Sequence, residues 1–166
     1  MDVAIVSDSH IPTRAAMIPP PFRETIRAAD HVVHAGDFDT REAFQTIRDL
    51  ATDAGAAFTA VRGNTDPYVL DLPEVTTVEL GDRTAVVTHG AGSRHDHAER
   101  VAAAVRETSG PEAVGITGHT HELADREVGG VRVLNPGSVT GARPASRATM
   151  LVADPVGEFT VEVHEA

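Results

Sequence analysis

The 166-residue sequence contains no cysteine, no tryptophan and no lysine, so that all 14 of its basic side chains are arginines. Without cysteine the chain can form neither disulfides nor thiolate–metal bonds, and any bound metal must take oxygen and imidazole ligands. No stretch approaches the roughly 20 consecutive apolar residues of a membrane span. Asp2 also stands where a signal peptide would be basic. We therefore expect a cytoplasmic protein, without a membrane partner, that forms one domain over residues 1–166.

Negative charge is in excess, with 25 acidic against 14 basic residues and a net charge of −11. Such a surface repels duplex nucleic acid at long range, and it lacks the lysines that commonly contact phosphate backbones. An acidic, lysine-free composition is consistent with a high-salt cytoplasm. The alternative is that the acidic residues only form a solvated surface without functional meaning. We expect a small substrate rather than a long nucleic acid.

Apolar runs separated by turn residues predict an α/β fold. The first half alternates strands with helices, which favours a parallel or mixed sheet. Its predicted strands are 3–7, 31–35 and 57–61. Its predicted helices are about 22–29 and 40–53, the second with Thr40 as its N-cap. A hairpin of 74–80 and 83–88 follows, then a helix over about 94–108 that begins with a Ser93–Asp96 capping box, and a strand at 113–117. The remaining predicted strands are 123–128, 131–134, 147–153 and 157–163. Two sheets packed face to face, with helices outside, are expected.

Side chains that ligate metals follow five of these predicted strands. They are Asp8, His10, Asp37, Asn64, His89, His119 and His121. Each short motif alone has an ordinary explanation as a turn or a structural histidine. Together they are harder to dismiss, because ligands in open α/β sheets gather beyond the carboxyl ends of the strands. A mixed nitrogen and oxygen set suits Mn²⁺, Fe²⁺, Ni²⁺, Co²⁺ or Zn²⁺ better than Ca²⁺ or Mg²⁺. Seven ligands exceed the needs of one ion, which indicates two ions that share a carboxylate.

The blocks Asp-x-His, Gly-Asp, Gly-Asn-x-Asp, Thr-His-Gly and Gly-His-Thr-His, in this order, resemble the calcineurin-like metallophosphoesterase superfamily. The runs His-Ala-Gly-Asp at 34–37 and Asn-Pro-Gly-Ser at 135–138 are similar to its YfcE-like phosphodiesterase branch. The resemblance covers the chain from Asp8 to Ser138. It implies a four-layer αββα sandwich of two mixed β-sheets flanked by helices, with the site at one rim.

The resemblance also implies a role for each ligand. One metal ion takes Asp8, His10 and His121, the other takes Asn64, His89 and His119, and Asp37 bridges the two. Asp37, Asn64 and His89 are then the catalytic residues.

Further candidates surround this set. Asp66 matches the acidic end of the Gly-Asn-x-Asp block. His34 is either a residue that orients the site or a strand-end histidine without a role, and Arg143 is a candidate substrate contact. The other nearby histidines and arginines are expected to face solvent; these are His95, His97, Arg62 and Arg147.

Two positions depart from the superfamily pattern. Thr65 stands where many of its phosphatases have a histidine that protonates the leaving group, so a general acid must come from elsewhere or be absent. Ala91 stands where many relatives have a further histidine beside the second metal. Substrates with good leaving groups should suffer least from the first change. The second removes a side chain that often contributes to the second metal or its surroundings.

These residues predict a phosphodiesterase that hydrolyses small phosphodiesters with water activated by two divalent transition-metal ions. Mn²⁺ is the first choice of metal, and Ni²⁺, Fe²⁺, Co²⁺ or Zn²⁺ are the alternatives. A phosphomonoesterase or nucleotide phosphatase is one alternative. Another is a catalytically weak protein-interaction scaffold, as in the retromer subunit that resembles this superfamily. The sequence leaves open the natural substrate, the physiological metal and whether the chain forms a homo-oligomer.

Overall fold

Ten strands in two sheets, three α-helices and one short 3₁₀ helix make up the computed structural model, which describes residues 1–166. The first half contains β1 (Val3–Val6), α1 (Pro20–Ala28), β2 (His31–His34), α2 (Arg41–Thr52), β3 (Ala57–Ala60) and the 3₁₀ helix (Tyr68–Leu70). The middle contains β4 (Val75–Leu80), β5 (Arg83–Thr88), α3 (His97–Ser109) and β6 (Val114–Ile116). The last part contains β7 (Leu123–Val128), β8 (Val131–Pro136), β9 (Thr149–Asp154) and β10 (Thr160–Glu165).

Both sheets are mixed and have five strands. The first has the order β10-β9-β1-β2-β3, in which β1, β2 and β3 are parallel and β9 and β10 are antiparallel neighbours at one end. The second has the order β4-β5-β6-β8-β7, with parallel strands in the centre and an antiparallel strand at each edge. Strands β1 and β2, in the interior of the first sheet, are buried along their whole length, whereas the parallel strand β3 forms its edge and is partly exposed.

The alternation of side chains along β1 shows how the layers stack. Val3 and Ile5 belong to the apolar cluster between the two sheets, whereas Ala4 and Val6 belong to the cluster beneath α1 and α2. In the same way Val86 of β5 packs under α3, while its neighbours in the strand face inward. The order is therefore helix, sheet, sheet, helix, and the predicted αββα sandwich is confirmed.

Helix boundaries follow the predicted caps in one case and not in another. The Thr40 hydroxyl accepts the backbone N–H of Ala43 at 3.1 Å and caps α2 as predicted. The capping box predicted at Ser93 is wrong, because the Ser93 hydroxyl accepts the N–H of His95 at 3.2 Å in a local turn instead. As a result α3 begins at His97, three residues after the predicted start. None of the three α-helices is long and apolar enough to span a membrane.

The topology brings the polar segments to one rim. Because β1, β2 and β3 are parallel, the residues that follow them leave the first sheet at the same edge. Strands β5 and β6 are parallel in the second sheet, and they end directly before His89 and the Gly118–His121 segment.

Candidate metal centre

Three side chains meet at the end of β1. Asp8 Oδ1 lies 3.2 Å from His121 Nε2 and 3.7 Å from His10 Nε2, and the two imidazole nitrogens are 3.2 Å apart. All three residues are buried. Their ligand atoms are close enough to one another to share a single ion.

A second group lies beside the first. His89 Nε2 is 3.2 Å from Asp37 Oδ2 and 3.0 Å from Asn64 Oδ1. The Asn64 oxygen is in turn 3.1 Å from His119 Nδ1. The structure thus brings together all seven side chains that the sequence places after strand ends.

Asp37 stands between the two groups. Its Oδ2 atom lies 3.5 Å from His10 Nε2 and 3.2 Å from His89 Nε2, one imidazole from each group. Its other oxygen, Oδ1, accepts the backbone N–H of Thr65 at 3.0 Å. The backbone therefore holds one oxygen while the second faces the centre.

Backbone carbonyls set the orientation of two imidazoles. His89 Nδ1 is 2.7 Å from the Ala35 carbonyl oxygen, and His121 Nδ1 is 2.8 Å from that of Ala142. A carbonyl only accepts, so each Nδ1 must carry the proton and each Nε2 presents its lone pair to the centre. This is the arrangement in which a neutral histidine ligates a metal.

The remaining two imidazoles are held in different ways. His119 is turned around, since its Nε2 lies 2.8 Å from the Gly92 carbonyl and its Nδ1 faces Asn64. His10 Nδ1 lies 2.8 Å from a carboxylate oxygen of Asp39, which leaves Nε2 for the centre.

Asp39 is a residue that sequence reasoning missed. Besides His10, its carboxylate accepts the hydroxyls of Thr13 and Thr65. Carboxylates that hold ligating histidines in this way raise their basicity and fix their rotation. The signal was present as a second aspartate two places after Asp37.

Asp8 carries a buried oxygen without a hydrogen-bond donor. Its Oδ1 has no hydrogen-bond partner, whereas Oδ2 accepts the backbone N–H of His119 at 3.1 Å. Burial by itself would raise the pKa of this carboxyl, but His10, His121 and His89 outweigh it and hold the pKa far below the usual value. An ionised, buried and unpaired oxygen is costly unless a cation lies against it, so the residues fit a bound metal.

The histidine–carboxylate contacts shift two further pKa values. Burial lowers the pKa of His89, yet Asp37 and Asp8 together raise it to about 9. The pKa of Asp37 is lowered in spite of burial, chiefly by the hydrogen bond from His89. The centre therefore has the negative potential that attracts cations.

Asp66 supports the loop around Asp37 rather than joining the ligands. Its carboxylate accepts four backbone N–H groups at 2.7–3.0 Å. The donors are Asp37, Phe38, Asp39 and Gly63. Burial raises the pKa of Asp66, and these N–H groups oppose the rise. The residue thus ties the β2 and β3 loops together.

His34 contacts the segment that carries two ligands. Its Nδ1 accepts the N–H of Gly36 at 3.1 Å, so the Nε2 hydrogen points at the Ser9 hydroxyl, 3.2 Å away. Its ring stacks on Phe38 with centroids 3.7 Å apart. Complete burial lowers the pKa of His34 to about 3. A neutral His34 therefore braces the turn between Asp8 and His10.

Of the two other histidine candidates, one is exposed and the other is buried. His95 is exposed as predicted, but the prediction that His97 faces solvent is wrong. His97 is buried behind His119, with ring centroids 5.9 Å apart, and its Nε2 lies 3.2 Å from the Thr117 hydroxyl. Burial lowers its pKa. The error follows from the late start of α3, which turns this residue toward the sheet.

The arginines lie outside the centre. Arg143 is exposed, and its side chain forms no hydrogen bond or ion pair with the ligands. Arg147 is paired with Glu165 at 3.1 Å on the surface. Arg62 is half-buried and forms an ion pair with Glu74.

Five of the seven candidate ligands have left-handed backbone. The φ angles are 53° at Asp8, 44° at His10, 64° at Asp37, 71° at His119 and 60° at His121. Residues other than glycine adopt this region rarely, and such residues cluster at functional sites. The tight turns direct the side chains of these ligands back toward the centre at the rim of the sheets.

Comparison with known proteins agrees with this geometry. The calcineurin-like phosphoesterase superfamily domain matches residues 1–157, and the chain belongs to this superfamily, as its motifs predicted. A probable metallophosphoesterase from Methanothermobacter thermautotrophicus is 28% identical over 153 residues, which cover 92% of this chain and 85% of that protein. Another from Methanocaldococcus jannaschii is 29% identical over 150 residues, with coverage of 90% and 74%.

A solved structure has the same fold. It is Vps29 complexed with Zn²⁺ from Entamoeba histolytica, which is 28% identical, with a TM-score of 0.69 and coverage of 99% of both chains. The chain is thus a member of a hydrolase superfamily that acts on phosphoric esters. It also has clusters of side chains that could ligate a metal.

Proposed function

We propose that this protein is a phosphodiesterase that hydrolyses small phosphodiesters with the help of two divalent transition-metal ions. The observation that carries the proposal is the position of Asp37 Oδ2, which lies 3.5 Å from His10 Nε2 and 3.2 Å from His89 Nε2. A carboxylate oxygen between two imidazoles of different groups is placed to bridge two cations.

In this proposal one ion takes Asp8, His10 and His121, and the other takes Asn64, His89 and His119. Asp37 is shared. Mn²⁺ is the first choice for such ligands, with Ni²⁺, Fe²⁺, Co²⁺ and Zn²⁺ as alternatives, and the Zn²⁺ complex of the related Vps29 supports the last. Ions of this kind lower the pKa of water toward neutrality and offset charge on phosphoryl oxygens.

The protein's own residues position the reaction and exclude a competing nucleophile. The chain has no cysteine, and the hydroxyl of Ser9, beside the ligands, is buried and directed to His34 and the Asp37 carbonyl. Attack by water, without a covalent intermediate, is therefore the favoured route. Asn64 and His119 lie at the outer side of the centre, where a phosphoryl group would arrive.

The leaving group limits which esters are good substrates. Thr65 occupies the position of a family histidine, and its hydroxyl donates to Asp39 rather than facing the centre. A general acid commonly contributes ~10²–10⁴-fold, so esters whose leaving groups need no protonation should react best. This supports activated phosphodiesters over ordinary monoesters.

Metal-dependent hydrolysis tests the proposal. Protein stripped with EDTA and dialysed should not hydrolyse bis-p-nitrophenyl phosphate, and Mn²⁺, Ni²⁺ or Zn²⁺ should restore turnover. The rate with the diester should exceed that with p-nitrophenyl phosphate; the reverse order would favour a phosphomonoesterase or nucleotide phosphatase. Full activity in excess EDTA would contradict the metal mechanism.

The second candidate is a protein-interaction scaffold of the same fold. Its support is the likeness to Vps29 together with two strongly exposed apolar side chains, Tyr68 and Val69, on the 3₁₀ helix. The complete set of seven candidate ligands favours catalysis instead. A folded protein that hydrolyses no phosphate ester with any divalent ion would support the scaffold.

A further inference from the structure

A pocket of about 540 Å³ adjoins one end of the candidate centre. Asn64 and His89 contribute to its wall, so a phosphoryl group bound beside Asn64 would have one substituent directed into it. The volume lies within the range of small-molecule sites, roughly 300–1,000 Å³. Its remaining walls determine which substituent fits.

Tyr68 lies on the rim of this pocket with 82% of its surface exposed. The Arg62 guanidinium covers one face of the ring at 4.4 Å from the centroid. The other face is open, and packing does not explain why the chain's single tyrosine is left there. A ring held on one side and free on the other is a platform for stacking.

The cations of the pocket are already paired. Arg62 forms an ion pair with Glu74. Arg100 donates to Asp96 at 2.9 Å and to the carbonyl oxygens of Gly90, Ala91 and Ser93. Each guanidinium is thus already matched by one carboxylate, so a second negative group on a ligand would meet no excess of positive charge.

The rest of the lining includes small apolar side chains. Val75, Val101 and Ala104 contribute carbon surface, and Ala91 leaves room where a family histidine would stand. Such walls favour a group without charge.

We propose that this pocket binds an ester substituent of the phosphodiester, and that the substituent is an uncharged planar aromatic ring stacked on the open face of Tyr68. The proposal rests on the proposed function, which puts the phosphoryl group beside Asn64. It makes Tyr68 a residue that determines specificity. An additional phosphate or carboxylate on the substituent weakens binding.

Symmetric phosphodiesters of equal charge test the ring directly. Dissociation constants of diphenyl phosphate and dicyclohexyl phosphate would be measured by calorimetry on the Zn²⁺-loaded protein. Wild type should bind diphenyl phosphate more tightly. Tyr68→Leu should weaken that binding about threefold to tenfold and leave dicyclohexyl phosphate unchanged. Tyr68→Phe should retain wild-type selectivity because it keeps the ring. Val69→Ala, on the same 3₁₀ helix but outside the pocket lining, is the matched control and should change neither constant.

A charged probe tests the second half of the proposal. Bis(4-carboxyphenyl) phosphate has the same rings with added carboxylates and should bind at least about tenfold more weakly, because the pocket offers them no free cation.

The outcomes separate this proposal from the proposed function. Equal affinity for the phenyl and cyclohexyl esters, no binding of either, or no effect of Tyr68→Leu would overturn the stacking role. Tight binding of the carboxylated probe would overturn the requirement for an uncharged group. If the protein hydrolyses no diester but still selects diphenyl phosphate through Tyr68, the pocket stands and only the proposed reaction fails.

Discussion

His10 Nδ1 lies 2.8 Å from Asp39 Oδ1, although the two residues are 29 positions apart. The Asp39 carboxylate joins the loop after β1 to the loop after β2. It also accepts the hydroxyl of Thr13 in the loop after β1 and that of Thr65 in the loop after β3. The imidazole can rotate only by breaking this contact. The orientation of a candidate ligand thus depends on a carboxylate that does not itself face the centre.

Replacing Asp39 by asparagine should therefore weaken metal binding without removing a ligand. The loss of charge lowers the basicity of His10, and contacts of this type are commonly worth 10- to 100-fold in metal affinity. Calorimetric titration of the metal-free protein with Zn²⁺ measures the effect. Asp82→Asn, in the β4–β5 turn, is the matched control. An unchanged affinity in Asp39→Asn would show that His10 needs no such support.

Asp37→Asn should abolish turnover and preserve the fold. An amide bridges two cations poorly, and the lost stabilisation of several kcal/mol corresponds to at least about a thousandfold in rate. Because Asn can still accept the Thr65 N–H at Oδ1, the loop should keep its shape. Hydrolysis of bis-p-nitrophenyl phosphate and the far-ultraviolet circular dichroism spectrum are the two measurements. A variant with the wild-type rate would mean that Asp37 is not the bridge.

Asp66→Asn should act mainly on stability. Each carboxylate oxygen accepts two backbone N–H groups, and an amide nitrogen would leave two of the four without an acceptor. Unsatisfied buried donors cost about 1–3 kcal/mol each, so the free energy of unfolding should fall by roughly 2–6 kcal/mol. Urea denaturation measures it, with Asp82→Asn expected to remain within ~0.5 kcal/mol of wild type. A variant as stable as that control would show that the four N–H groups find other partners.

The burial of His34 should make the metal-free protein less stable in acid. Its pKa falls from the usual 6.5 to about 3 on folding, so between these values the unfolded chain binds a proton that the folded chain does not. The free energy of unfolding should then fall as pH is lowered through this window, by up to about 1.4 kcal/mol per pH unit.

His34→Gln separates this effect from other titrating groups. The variant lacks the titrating ring, so its stability should depend less on pH, and the gap to wild type should narrow by about 2 kcal/mol between pH 7 and pH 4.5. Urea denaturation at both values, with EDTA present, measures the gap. A gap that stays constant would mean that His34 does not titrate differently in the two states.

Sequence reasoning was most successful where the signal is local. Strand β1 is buried on both faces, and such strands read as short apolar runs that end at the next polar residue. The candidate ligands could be placed at one rim because parallel strands end together. That rule needs only the order of the elements, not their packing.

The failures lie where the outcome depends on packing between distant segments. The start of α3 changed because Ser93 closed a local turn, and His97 consequently turned inward to Thr117, 20 residues away. The contact between His10 and Asp39 joins two loops, and the Tyr68 pocket is assembled from several segments. None of these contacts can be read from the spacing of residues within a motif.

The left-handed turns at Asp8, His10, Asp37, His119 and His121 restrict how this centre can evolve. Aspartate, asparagine and histidine enter that conformation more readily than other side chains. They are also side chains that commonly ligate divalent transition-metal ions. Exchanges among these three can alter metal preference at little cost to the main chain, whereas glutamate, equally good as a donor, would be penalised by the turn before any ion arrived. The substitutions that could evolve at these positions are thus restricted by the backbone torsion angles as much as by the affinity for the metal.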